Sequence, residues 1–167
     1  MSYKNNVTLV GADYKLSKRA AERLAKDLEM TFADSVGIFD YFCAGRKPDT
    51  LVKLTSKQFA KSKADDTVNS LADCENSVIA LSANLVTDAT LCALATDSYI
   101  VLIDCALTRA ADRLHEDSYA KALGQTKKQL TETWKLIRNS ADLVLEKVNR
   151  YDLVCNRTKQ WLKEIVK

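Results

Sequence analysis

The chain has 167 residues, enough for one domain spanning 1–167 with a sizeable core. At 47% hydrophobic and 28% charged residues, the composition reads as that of a globular, soluble chain and not a disordered one. A net charge of +3, with no basic cluster interleaved by aromatics, gives no ground for a nucleic-acid partner.

In chain order, Val7-Thr-Leu-Val10 before Gly11 reads as a short strand buried on both faces. The helix that follows, entered at Ser17 and running over 19–29, carries Ala20, Ala21, Leu24, Ala25 and Leu28 on one stripe. A second strand over 30–34 ends in Asp34, and a helix over 36–43 is stopped by Gly45 and the loop before Pro48. The stretch 55–74 is expected to be helical with Phe59, Val68 and Leu71 inward. A third strand covers 77–82, followed by a helix capped at or near Thr87, with Leu91, Leu94 and Ala95 inward. Ser98-Tyr-Ile-Val-Leu-Ile-Asp104 is the strongest strand. A helix over 108–114 and a polar stretch to Gly124 come next. The spacing of Leu130, Trp134, Ile137, Ala141 and Val148 predicts one long helix over 126–149. A fifth strand over 151–156 and a closing helix over 158–166 complete the chain, the latter with Trp161, Leu162 and Ile165 inward.

Short apolar strands alternating with helices imply right-handed crossovers. The expected architecture is a three-layer α/β/α domain with a five-stranded parallel sheet. The five cysteines (Cys43, Cys74, Cys92, Cys105, Cys155) form no C-x-x-C pair, and with one histidine a zinc site is not expected. Reduced, mostly core-filling thiols and a cytoplasmic location are expected. No apolar run approaches the roughly 20 residues of a membrane span, and the first residues lack a signal-peptide apolar region.

The first strand, its glycine, a six- or seven-residue turn and an amphipathic helix share the layout of a phosphate-binding loop, G-x-x-x-x-G-K-[ST]. Gly11 fits the first glycine. Leu16 stands at the second glycine, Ser17 at the lysine and Lys18 at the hydroxyl that holds Mg²⁺. At the second position a γ-branched residue resists the positive φ that glycine would supply.

The order of elements resembles the shikimate kinase family, a P-loop, nucleoside-monophosphate-kinase-like fold. Leu24-Ala-Lys-Asp-Leu-Glu-Met-Thr-Phe-Ala-Asp34 resembles that family's LAKxLGMPFIDxD. Asn76-Ser-Val-Ile-Ala resembles the strand before its GGG turn. Tyr99-Ile-Val-Leu-Ile-Asp104 through Arg113-Leu114 resembles VVYLDxxxExLxxRL. Arg138-Asn139 and, some residues on, Tyr151-Asp-Leu-Val resemble its RNPLY…ADLVV region. The reactive positions depart from this pattern. Asp34 matches the first carboxylate of the family's Asp-x-Asp and Val36 replaces the second. Ala60 stands at the substrate arginine and Lys63 at the following glutamate, Ser82-Ala-Asn84 at the GGG turn. Between His115 and Gly124, where the lid supplies an arginine, the only basic side chain is Lys121.

Each remaining candidate has a plain alternative. Lys15 and Lys18 either hold phosphate at a displaced position or are solvated at a helix start. Asp34 is a metal or substrate carboxylate, or an N-cap. Arg138 is a nucleotide or substrate contact, or a salt-bridged arginine. His115 has no partner for general-base work, and Asp104 belongs to the framework in the family that the chain resembles. No residue is nominated as catalytic and none as a metal ligand. The resemblance therefore implies a shikimate-kinase-like pseudoenzyme with a degenerate Walker A loop, acting by ligand or protein binding. The alternative is an ATP-dependent small-molecule phosphotransferase of shikimate kinase type, using Mg-ATP and a rearranged loop with Lys15 or Lys18. A small-molecule or nucleotide ligand, a protein partner and a homodimer all stay open as partners; a membrane does not.

Overall fold

The computed structural model describes residues 3–43 and 57–165. Its elements in chain order are β1 (Asn6–Gly11), α1 (Tyr14–Leu28), β2 (Thr31–Asp34), α2 (Ser35–Phe42), α3 (Lys57–Ala72) and β3 (Ser77–Ser82). After a 3₁₀ turn (Ala83–Leu85) come α4 (Asp88–Ala95), β4 (Ser98–Ile103), α5 (Leu107–Glu116) and α6 (Ser118–Leu123). The chain closes with α7 (Lys127–Ser140), β5 (Leu143–Leu145) and α8 (Tyr151–Ile165). The five strands form one all-parallel sheet of order β2-β3-β1-β4-β5.

Two apolar layers cover this sheet, as parallel strands buried on both faces require. On one face, Ala20, Ala21 and Leu24 of α1 and Val154 and Cys155 of α8 pack on Leu9, Ala80 and Val101. Small alanines let α1 lie close to the strands. The other face is deeper. Phe39, Val68, Leu71, Leu91, Leu114, Leu123 and Trp134 from the remaining six described helices cover Val10, Ile79, Leu81 and Leu102. Thr87 and Thr126 close capping boxes with Thr90 and Gln129 at the starts of α4 and α7.

Several expectations change. The long helix over 126–149 ends at Ser140, because Asp142 leaves the helix to pair with β4. Its N–H donates to the Ile100 carbonyl at 2.8 Å, and its carboxylate accepts the Ile100 N–H at 2.8 Å. The fifth strand is therefore Leu143–Leu145, and Ala141-Asp142-Leu143-Val144, one residue after Arg138-Asn139, occupies the place given to Tyr151-Asp-Leu-Val. Residues 151–156 instead begin α8, since Val154, Cys155 and Thr158 turn one helical face onto the core. A short, largely apolar stretch does not by itself distinguish a buried strand from a buried helix. The polar stretch before Gly124 contains α6, capped by Asp117 and ended by Gly124 at φ 65.

Phe59 is partly exposed, and Ala60, Ala64, Thr67, Val68 and Leu71 form the inner side of α3. Trp161, Leu162 and Ile165 are only half-buried. All five thiols are free. Cys43 and Cys155 are buried, but Cys92 is exposed, contrary to a filling role. The stop at Gly45 and Pro48, the helix start at Thr55 and the end at Val166 lie outside the described residues. None of the described helices is long and apolar enough to cross a membrane.

Candidate functional site

The carboxyl edge of β1 is where a parallel α/β sheet places ligands, and here the first turn is short. β1 ends at Gly11 and α1 begins at Tyr14, leaving only Ala12 and Asp13 between them. Gly11 is needed for packing. A Cβ there would sit 3.2 Å from both the Ile103 Cβ and the Ser17 Oγ. Asp13 caps α1, one carboxylate oxygen accepting the Leu16 N–H at 3.4 Å. Its other oxygen lies 3.4 Å from the guanidinium of Arg113 on α5.

The helix start absorbs the remaining loop candidates. Leu16 lies inside α1 and is not among the residues with positive φ, so the strain expected at that position does not arise. Ser17 is fully buried, and its N–H and Oγ both donate to the Asp13 carbonyl, at 3.2 and 3.3 Å. Lys18 reaches away to Asp34, at 3.5 Å. Lys15 is exposed and lines a shallow cleft beside Arg19 and Arg150.

Asp34 ends β2 and caps α2, accepting the Val36 N–H at 3.1 Å and the Tyr14 hydroxyl. Burial raises its carboxyl above the usual carboxylate range, while the Gly37 and Val36 N–H groups oppose that shift. Arg138 projects from α7 to Asp104 at 2.9 Å and to Glu146 at 3.6 Å. Asp104 is buried at the end of β4 and also accepts the Trp134 indole N–H at 3.2 Å. Asp34 and Arg138 are thus both anchored in side-chain contacts of the frame. His115 and Lys121 are exposed.

The far side of the sheet edge is filled by the protein itself. Ala83 and Asn84 begin a 3₁₀ turn, and Ser82 donates its N–H to the Ser35 hydroxyl at 2.9 Å. The buried Asn84 amide donates to the Leu114 carbonyl at 3.1 Å and to the Gln125 Oε1 at 2.9 Å. Gln125 returns a bond to the Asn84 carbonyl at 2.7 Å. Between them lies α6, with Ala120, Ala122 and Leu123 buried. Tyr119 stands edge-on to Phe39, with ring centroids 5.4 Å apart, and donates to Asp40 at 2.8 Å. Burial and that acceptor push the Tyr119 phenol far above its ordinary range. Ala60 is buried in the core, and Lys63 pairs with Asp66 at 3.7 Å.

A cleft of about 500 Å³ opens beside the Gly11 turn, walled by Asp13, Arg109, Arg113, Lys147 and Asn149. The sequence reading missed these residues, and it also missed Asn84 and Gln125 as a pair. Asp13 carried a legible signal, since an aspartate three residues before Leu16 is an N-cap pattern. The others come together only through the fold. Among the described residues no group of three or more His, Cys, Asp or Glu could hold a metal ion.

An all-parallel sheet of this order, covered on both faces and entered through a glycine-ended first strand, defines an α/β fold of the P-loop-kinase type. The shikimate kinase family model matches residues 18–167, and the chain belongs to that family. That match starts at Lys18, after the first strand and turn. The fold is similar to shikimate kinase from Aquifex aeolicus (TM-score 0.77, 16% identity, covering 96% of this chain and 98% of that one). It is also similar to shikimate kinase from Acinetobacter baumannii, solved with shikimate (TM-score 0.74, 15% identity, 96% and 94% covered). Shikimate kinase from Bacteroides thetaiotaomicron aligns at a TM-score of 0.65 and 12% identity, covering 95% and 98%. A search of curated protein sequences found no significant match.

Proposed function

We propose that this chain is a catalytically silent member of the shikimate kinase family, which acts by binding and not by phosphoryl transfer. The observation that carries this reading is the Asp13 carboxylate at the N-terminus of α1, bonded to the Leu16 N–H and paired with Arg113. A helix start in this position would otherwise offer its N–H groups to phosphate. Here a fixed negative charge takes that place and repels a second one.

The residues do not fit Mg-ATP. Ser17, at the place of the loop lysine, is buried and bonded to Asp13. Lys18, at the place of the metal hydroxyl, is paired with Asp34. Phosphoryl transfer asks the protein for positioning and charge stabilisation, and each lost preorganised donor costs about 3 kcal/mol. A phosphotransferase built on Lys15 or Lys18 finds no support in this geometry, since Lys18 is engaged with Asp34 and Lys15 lines the outer part of the groove, beyond Asp13 and away from Gly11. Five free thiols fit a reducing compartment such as the cytoplasm.

Thermal unfolding with millimolar Mg-ATP, ADP or shikimate, each added separately, tests this reading. A ligand at about 100 times its Kd adds roughly 2.7 kcal/mol, a shift of several degrees. No shift is expected with any of the three. A shift with ATP or ADP that Lys15→Ala or Lys18→Ala abolishes would overturn the reading in favour of the phosphotransferase.

A further inference from the structure

The cleft beside Gly11 continues into a second, of about 460 Å³, and the two share Asp13, Leu16 and Asn149 as walls. Six of the 25 Lys and Arg line the pair, against three of the 22 Asp and Glu. The chain's whole formal charge of +3 therefore sits at this groove, and the remaining charges balance. The acidic residues are already engaged, Asp104 with Arg138, Asp13 with Arg113, and Asp152 with Arg150 at 2.7 Å. Lys15, Arg109 and Lys147 line the groove without a carboxylate partner among the described residues, and Arg19 stacks on the Tyr151 ring at 4.1 Å.

We infer that this groove docks an acidic, extended segment of a partner protein. This rests on the reading above that the groove is not a nucleotide site. The free cations are spread over two clefts, so the matching anion carries its charges at separated points, as glutamates along a peptide do. Leu16, Ile103 and Val148 give the groove apolar wall for side chains between those charges. Asp13 stands where the clefts meet, and its carboxylate repels a phosphodiester backbone but accepts a peptide N–H. Complementary charge of this kind steers encounter and sets register.

The test is fluorescence anisotropy with a short fluorescein-labelled peptide of glutamates interrupted by leucines, against oligothymidylate of equal length. The expected result is saturable peptide binding that weakens as salt is raised, with oligothymidylate bound about tenfold more weakly or worse. Lys15→Glu, Arg109→Glu and Lys147→Glu together should weaken the peptide by about tenfold or more. The same reversal at Lys61, Lys128 and Lys163, exposed away from the groove, should leave it unchanged. If the glutamate triple fails to fold, the glutamine triple at the same positions serves, with a smaller loss in the same direction. No saturable binding, equal loss in both triples, or tighter binding of oligothymidylate would overturn the inference. A thermal shift with Mg-ATP that Lys15→Ala or Lys18→Ala abolishes would overturn the silent-kinase reading separately.

Discussion

Asp104 shows how a single buried carboxylate organises its surroundings. It closes β4 at 6% side-chain exposure and holds two donors from α7, the Trp134 indole and the Arg138 guanidinium. In Asp104→Ala the buried indole N–H loses the carboxylate that accepts it, while the half-exposed Arg138 can turn to Glu146 or water. A loss of about 2 kcal/mol follows, most of it from the stranded indole. Urea unfolding of the variant measures it, and an unchanged midpoint would mean that the cluster adds nothing to stability. Cys155 makes a different prediction. Burial pushes its thiol up to about 11, with the Asp27 carboxylate adding to the shift and Lys159 and Arg23 opposing it, and the S–H donates to the Ala20 carbonyl at 3.1 Å. Above the ordinary thiol value of about 8.5 the unfolded chain has lost a proton that the folded chain keeps. Stability is thus full below that value and falls as pH rises towards about 11. Cys155→Ser keeps a donor and does not titrate. Its stability relative to wild type should rise by on the order of 2 kcal/mol between pH 8 and pH 11; parallel curves would refute the assignment.

At the next scale, α6 is a short helix held by its neighbours. Six residues are too few to be stable alone, and its order comes from Leu123 and Ala120 in the core and from the Asn84–Gln125 clasp beside it. Asn84→Ala leaves the Leu114 carbonyl and the Gln125 Oε1 without that donor, while the Gln125 amide keeps the backbone carbonyl of residue 84, and the change costs about 2 kcal/mol. Hydrogen exchange should quicken across 118–123 more than across α1, and equal protection in the variant would show that packing alone secures the helix. The apolar rows of α1 and α7 were legible in the sequence because a helix facing a sheet must repeat its apolar residues every three or four positions. Where α7 ends was not legible. Val144 and Val148 continue the helical spacing by coincidence, and the break is made by hydrogen bonds from Asp142 to Ile100, 42 residues away.

For the molecule as a whole, alternation of strands and helices already implied a parallel sheet with two covered faces, because short crossovers permit little else. The resemblance to shikimate kinase also rested on the chain alone, through framework segments such as 24–34 and 99–114, and the family match to residues 18–167 bears it out. The absence of lysine from the loop position, with Ser17 in its place, was visible there too. The state of the site was not. That Asp13 and Arg113 meet across a hundred residues, that Lys18 turns to Asp34, and that Asn84 locks onto Gln125 depend on distances set by packing between elements. The concentration of positive charge in one groove is likewise invisible in a nearly balanced composition. Periodicity is a local property carried by neighbouring residues, so the chain displays it directly; ion pairs and clefts join side chains remote in sequence, and they exist only once the core has brought those side chains together.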